Sequence, residues 1–156
     1  MNKKELRQST TLDVIKPEIL IAEDNEFQLI VLMNLMKRMT IKFQVASNGI
    51  IAFNSFKEKI AKENRRFTLI LMDLVMPFKN GFEATQDIRN YEISEKFEQT
   101  FICGMSSDYS REIENKCKIS GMNHFMKKPI QMDELKNLID SINKNELETL
   151  LFKTTN

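Results

Sequence analysis

The sequence predicts a doubly wound α/β fold, a five-stranded parallel sheet with helices on both faces. Two observations carry that reading. Five short apolar runs alternate with five segments whose apolar residues recur at helical spacing, and the polar exceptions fall just past the ends of the runs. Strands joined through helices of this length imply right-handed crossovers and a mostly parallel sheet. The strand C-terminal ends then converge on one edge, where such folds build their sites.

The first run is Glu18 to Ala22, followed by Asn25 as an N-cap and by Phe27, Ile30, Val31 and Leu35 at helical spacing. The second, Phe43 to Ala46, precedes a weaker helical pattern marked by Ile50, Phe53 and Ile60. After the third run, Thr68 to Met72, Met76-Pro77 reads as a turn and Asn80-Gly81 opens a helix from Phe82 to Tyr91. The charged stretch Glu92 to Gln99 is longer than a usual helix-to-strand loop and reads as a solvated excursion. The fourth run, Phe101 to Met105, leads to a helix over Arg111 to Ser120 that Gly121 stops. The fifth, His124 to Met126, precedes a helix from Met132 to Ile142. Residues 17–143 thus form one domain. Met1 to Lys16 read as an arm or linker, and residues 144–156 as a tail in which Leu147, Leu150 and Leu151 add a turn of helix.

At 156 residues the chain fits a single domain of ordinary size. Its 23 basic and 22 acidic residues are interspersed and leave a net charge of +1, which argues against a nucleic-acid-binding face or a polybasic membrane anchor. No apolar run approaches the roughly 20 residues of a membrane span, and the lysine-rich start lacks the apolar stretch of a secretory signal. The expectation is a soluble, cytoplasmic protein without direct membrane contact. Cys103 and Cys117 form neither a disulfide framework nor a metal-ligand spacing and read as reduced packing residues. His124, without a second His or Cys in company, reads as structural.

Chemistry is concentrated at the run ends. Glu23 and Asp24 follow the first run, Asp73 the third and Ser106 the fourth, while Lys128 lies just past the fifth. On a parallel sheet all of them reach the same edge. Three carboxylates placed together repel, so a cation is needed to keep them ionised. Mg²⁺, or Mn²⁺ in its place, suits a few carboxylate oxygens plus waters and reaches out to phosphate. Three carboxylates, one divalent ion and the Lys128 ammonium cancel formally. In such a site Asp73 can act as a nucleophile and form an acyl phosphate. Asp24 would bind the metal directly and Glu23 through water, with the Val75 backbone carbonyl completing the coordination. Lys128 would pair with one phosphoryl oxygen and the Ser106 hydroxyl donate to another. Lys128-Pro129 is a candidate cis bond. Phe27, beside the acid pair, is read as core-facing, with docking of a donor's helix as the alternative.

These pieces carry a family resemblance. Ile19-Leu20-Ile21-Ala22-Glu23-Asp24-Asn25-Glu26, Leu71-Met72-Asp73-Leu74-Val75-Met76-Pro77 with Asn80-Gly81-Phe82-Glu83-Ala84-Thr85, Met105-Ser106-Ser107, and Gly121-Met122 through Lys128-Pro129-Ile130 resemble the receiver domains of response regulators and hybrid histidine kinases. The Glu-Asp-Asn-Glu opening is most like receivers attached to hybrid kinases. The resemblance spans about Pro17 to Ile142 and implies the (βα)5 flavodoxin-like receiver fold. It further implies a phosphorylation switch in a two-component phosphorelay, with a phosphohistidine on a histidine kinase or histidine phosphotransfer protein as donor and Asp73 as acceptor. The chain would then be a phosphoacceptor with slow autodephosphorylation rather than an enzyme. If it belongs to a hybrid kinase, other parts of that protein would tether it to a membrane.

In the family the residue matching Ser106 moves toward the phosphoryl group, and an aromatic matching Phe125 turns inward behind it. The responding surface is the fourth helix, fifth strand and fifth helix, through which a homodimer could form. Ser106 stands where threonine is commoner, Phe125 where tyrosine is frequent, and Ser107 where alanine is usual. Val75 is apolar where some receivers carry a polar side chain that affects dephosphorylation. Three rival readings compete. An aspartate-nucleophile phosphatase carries a second acid two residues after the nucleophile, where this chain has Val75. A degenerate receiver that only binds partners tends to lose an acid, the nucleophile or the lysine, all present here. A flavodoxin-like cofactor binder needs a phosphate loop, and none follows Ala22.

Overall fold

A computed structural model describes residues 16–144, and within them five strands alternate with five helices. They are β1 (Glu18–Ala22), α1 (Glu26–Arg38), β2 (Lys42–Ala46), α2 (Gly49–Glu63), β3 (Leu69–Asp73), α3 (Gly81–Glu95), β4 (Phe101–Ser106), α4 (Arg111–Ser120), β5 (His124–Lys127) and α5 (Met132–Asn143). The arm before Lys16 and the tail after Lys144, with its expected helical turn through Leu147, Leu150 and Leu151, lie outside the described residues.

All pairings are parallel and the strand order is β2-β1-β3-β4-β5, so the chain reverses direction across the sheet between β1 and β3. Crevices form at such a reversal. The registers Ala22↔Met72, Asp73↔Met105 and Ser106↔Lys127 bring the C-terminal ends of β1, β3, β4 and β5 to one edge. Strand alternation splits the core in two. Leu20, Ala22, Ile70, Met72 and Ile102 face the side covered by α2, α3 and α4, where they meet Phe56, Ala84, Ile88 and Cys117. Ile19, Ile21, Leu69, Leu71, Cys103 and Met105 face the other side, against Leu32 and Met36 of α1 and Leu135, Leu138 and Ile139 of α5. Strands covered on both faces bury every position, which is why residues 19–22 of β1 and 69–72 of β3 read as unbroken apolar runs. Both cysteines are free and buried, as expected, and burial pushes the Cys117 thiol up to about 12.

Three sequence expectations need correction. In α1 the residues that meet the sheet are Leu32 and Met36, flanked by Leu29 and Leu35. Phe27, Ile30 and Val31 are exposed, so Phe27 is not core-facing. α1 carries apolar residues around more than half its girth, and only packing chooses which arc is buried. In α2 the buried arc runs through Ala52, Phe56 and Lys59, leaving Ile50 exposed. The Lys59 ammonium is satisfied by Glu18 at 2.6 Å and Glu63 at 2.9 Å, which makes burial of its charge tolerable.

The third correction concerns Glu92 to Gln99, where α3 continues to Glu95 and Glu92 is buried rather than solvated. Its carboxylate accepts from the Arg89 guanidinium at 2.6 Å and from the Thr100 backbone N–H at 2.6 Å. Arg89 also donates to the carbonyls of Thr100 (3.0 Å) and Gly121 (2.9 Å) and to Asn123 Oδ1 (2.7 Å). One buried guanidinium thereby ties α3 to β4 and to the end of α4.

Asn80 caps α3 in a reciprocal box, its side chain accepting from the Glu83 N–H at 2.9 Å while the Glu83 carboxylate accepts from the Asn80 N–H at 3.0 Å. Asn80→Ala removes the first of these bonds and is expected to lower stability by about 1 kcal/mol, readable as a lower urea midpoint with an unchanged slope. An unchanged midpoint would show that the cap adds nothing to α3.

Candidate functional site

The ends of β1, β3, β4 and β5 carry the polar groups of the crevice edge: Glu23 and Asp24, Asp73, Ser106 and Lys128. β1 ends at Ala22, and the backbone N–H of Glu23 is fixed to the Ala46 carbonyl at 3.0 Å, which holds the acid pair at the end of β1 beside β2. Glu23 Oε1 accepts from the Asn25 N–H at 3.1 Å, and Asn25 Oδ1 caps α1 through the Gln28 N–H at 3.0 Å. Asp73 is the last residue of β3. Beyond it Gly81 passes so close that a Cβ there would lie 2.2 Å from the Asp73 carbonyl oxygen, so only glycine lets α3 start against this strand. Lys128 follows β5 and is held by its backbone N–H to the Ser106 carbonyl at 2.8 Å; the Lys128-Pro129 bond is cis.

The side chains of Glu23, Asp24, Asp73 and Lys128 meet. Carboxylate oxygens of the three acids lie within 4.8 Å of one another. The Lys128 ammonium bridges Glu23 Oε2 at 2.7 Å and Asp73 Oδ1 at 2.8 Å. Glu23 and Asp73 are buried, whereas Asp24 faces solvent. Burial lifts the Asp73 carboxyl from its ordinary 3.8 to about 6, and the Glu23 charge adds to the rise, against opposing pulls from Lys128 and a backbone hydrogen bond from Val75. Ionised, the three acids and one ammonium carry two surplus negative charges. Oxygen donors with that surplus, one of them open to solvent, fit a hard divalent cation of the Mg²⁺ kind.

Ser106 ends β4 on the same edge, yet among the described residues its hydroxyl bonds neither Asp73 nor Lys128. It accepts instead from the Asp108 N–H at 3.1 Å within its own loop. Phe125 lies buried on β5 under the ring of Tyr109, a residue that no motif in the sequence marks.

The segments that leave the crevice carry a collar of exposed apolar side chains: Phe27 (75%) on α1, and Val75 (79%) and Phe78 (87%) between β3 and α3. Phe78 holds a φ of +66°, a left-handed conformation that is costly for a bulky residue and keeps its ring in solvent. Nothing in the Met-Pro-Phe-Lys-Asn-Gly string signals that geometry. Beside the collar a groove of about 310 Å³ runs between Phe27, Val31 and Leu32 of α1 and Pro129 and Ile130, with Glu23 and Lys128 at its edge.

A family model for the response regulator receiver domain matches residues 19–140. Among curated proteins, the hybrid signal transduction histidine kinase K of Dictyostelium discoideum is 30% identical over 155 residues, covering 97% of this chain and 12% of its own length. The peroxide stress-activated histidine kinase mak1 of Schizosaccharomyces pombe is 32% identical over 124 residues, 80% of this chain and 7% of the relative. This chain therefore spans only a small part of such relatives. Among solved structures, the co-crystal structure of the Saccharomyces cerevisiae histidine phosphotransfer signaling protein Ypd1 with the receiver domain of the response regulator Ssk1 matches at TM-score 0.73 and 28% identity, covering 89% of this chain and 94% of that one. The receiver domain of the sensor histidine kinase PA1611 of Pseudomonas aeruginosa, solved with magnesium in its active-site cleft, matches at TM-score 0.70 and 26% identity over 83% of this chain and 98% of that one. The parallel sheet, the acidic crevice at its edge and the match across residues 19–140 agree: this chain belongs to the response regulator receiver domains, the phosphoacceptor modules of two-component phosphorelays.

Proposed function

We propose that Asp73 accepts the phosphoryl group of a phosphohistidine, presented by a histidine kinase or a histidine phosphotransfer protein. The observation that carries this reading is the placement of the Asp73 carboxylate between the Lys128 ammonium and the Glu23–Asp24 pair. Asp24, Asp73 and the Val75 carbonyl would hold Mg²⁺, with Glu23 acting through water. When bound, the ion neutralises charge on the acids and on the incoming phosphoryl oxygens. Asp73, as its carboxylate beside Lys128, attacks phosphorus through one oxygen, and the P–N bond breaks with the histidine nitrogen as the leaving group. Lys128 exchanges its carboxylate partners for a phosphoryl oxygen, and Ser106 donates to another. Hydrolysis of the acyl phosphate is slow autodephosphorylation, and Val75 offers a passing water no polar group to help it.

The exposed collar of Phe27, Val75 and Phe78 and the adjoining α1 groove form the donor's docking surface. Apolar anchors around a charged centre suit a helix that carries one polar reacting residue on an otherwise apolar face. Residues 17–143 are the functional unit and act in the cytoplasm, either free or as part of a hybrid kinase. Among the described residues no helix is long and apolar enough to cross a membrane. The surface of α4, β5 and α5, which responds to phosphorylation of Asp73, serves as the output face, including for self-association. A purely partner-binding receiver is disfavoured because all three acids and the lysine converge.

Intact mass tests the proposal. After incubation with acetyl phosphate, and separately with a phosphorylated histidine phosphotransfer domain, the chain is expected to gain one phosphoryl mass with Mg²⁺ and none with EDTA. No gain from either donor in Mg²⁺ would overturn it.

A further inference from the structure

The loop between β4 and α4 is ordered by a series of local hydrogen bonds that begins at Ser106. The Asp108 N–H donates to Ser106 Oγ at 3.1 Å, the Ser110 N–H to Asp108 Oδ1 at 3.0 Å, and the Ile113 N–H to Ser110 Oγ at 3.3 Å. The last of these is the N-cap of α4. Each link satisfies a backbone donor with the side chain of a residue two or three positions earlier. Within this loop Tyr109 lays its ring on Phe125, with centroids 5.0 Å apart and planes 11° from parallel. Phe125 is only 4% exposed although Tyr109 is 60% exposed, so the tyrosine is a cover and the phenylalanine is already inward.

The two ends of α4 are held very differently. At its C-terminal end the Arg89 guanidinium grips the Gly121 carbonyl at 2.9 Å and Asn123 Oδ1 at 2.7 Å, and the buried residues of the helix, Cys117 and Ser120, both lie in this half. Its N-terminal end depends on the Ser106 relay and on the Tyr109 stack, with Ile113 only partly buried beyond them.

We propose that Tyr109, not Phe125, is the mobile aromatic of this receiver. When Ser106 turns from the Asp108 amide to a phosphoryl group on Asp73, the loop follows, Tyr109 leaves Phe125, and the first turn of α4 loosens about its fixed Gly121 end. The inference rests on the reading of Asp73 as acceptor. A hydroxyl donating to an ionised phosphoryl oxygen makes a bond roughly twice as strong as a neutral one. Rotating the side chain to reach that oxygen carries Oγ away from the Asp108 N–H, a solvent-exposed contact whose amide water can satisfy. Only two residues lie between Ser106 and Tyr109, at most about 10 Å of extended chain, so a shift at the first is felt at the second.

Nuclear magnetic resonance of the wild-type chain with Mg²⁺, before and after adding beryllofluoride as the phosphoryl mimic, reads the step directly. With the mimic bound, as reported by its ¹⁹F signal, Tyr109–Phe125 ring cross-peaks are expected to vanish and the Ile113 amide to exchange about tenfold faster, the scale of a lost cap. The Met122 amide, next to the Arg89 clamp, is expected to keep its protection. Asp108→Ala cuts the middle of the relay without touching Asp73, Lys128 or the acids. It should speed Ile113 exchange by the same factor before any mimic is added, leave little further change on binding, and still gain the phosphoryl mass. Asp108→Asn, which keeps the accepting oxygen, should behave as wild type. Bound mimic with ring cross-peaks and Ile113 protection intact overturns this inference and leaves the acceptor reading standing. Failure of the mimic to bind in Mg²⁺ removes both.

Discussion

Asp73→Asn is expected to abolish phosphoryl gain and, in EDTA above about pH 7, to stabilise the protein by about 2 to 3 kcal/mol, from a carboxyl lifted from 3.8 to about 6. The fold buries this carboxylate beside Glu23, and Lys128 alone does not offset that cost. The sign follows from where the proton is held. Between about pH 4 and 6 the native chain keeps a proton that the unfolded chain has released, so the stability this group contributes is complete below about pH 4 and lost as pH rises through about 6. Asparagine keeps an oxygen for Lys128 and carries no charge to bury. Urea unfolding of both proteins in EDTA should therefore give nearly equal stabilities at about pH 4 and diverge by about pH 7.5. Mg²⁺ should then stabilise the wild type and leave the variant almost unmoved, since only the wild type keeps the full charge of the acid trio. Equal stabilities at both pH values would show that the strain of the crevice lies elsewhere than in the Asp73 charge.

Arg89→Met is expected to cost about 3 to 5 kcal/mol, because it strands the buried Glu92 carboxylate without its counter-charge. Asn123 and the carbonyls of Thr100 and Gly121 lose donors in the same step. Methionine fills much of the volume of the arginine stem, so the loss reads charge and hydrogen bonding more than a cavity. Pairing it with Glu92→Gln should restore part of the stability, because the orphaned charge is then gone. Urea midpoints of the two single variants and the double variant decide the matter. Additive losses would mean that Arg89 and Glu92 do not act as a pair.

The order of elements and the chemistry of the edge were legible in the sequence, for a shared reason. A parallel strand buried on both faces is an apolar run along its whole length, so the first charged residue after it marks the strand's end and the rim of the crevice. Glu23 and Asp73 are visible on those grounds alone, whereas Lys128 is the second of two lysines after the fifth run and is singled out by the Lys-Pro pair of the family resemblance. The arcs of α1 and α2 were not, since apolar residues surround much of each helix and periodicity cannot say which arc meets the sheet. Glu92 was misread because a lone glutamate in a charged stretch looks solvated, and its partners stand three residues before it and eight after it.

By itself the sequence determined the alternation of strands and helices, the parallel sheet and the set of polar groups at its C-terminal edge, because these follow from local periodicity and from where apolar runs stop. Only the tertiary structure decided the strand order β2-β1-β3-β4-β5, the exposed collar of Phe27, Val75 and Phe78, the Arg89 clamp, and the cover of Tyr109 over Phe125. Each of these depends on which surfaces of distant segments meet, and that is settled by packing among residues that no local pattern joins.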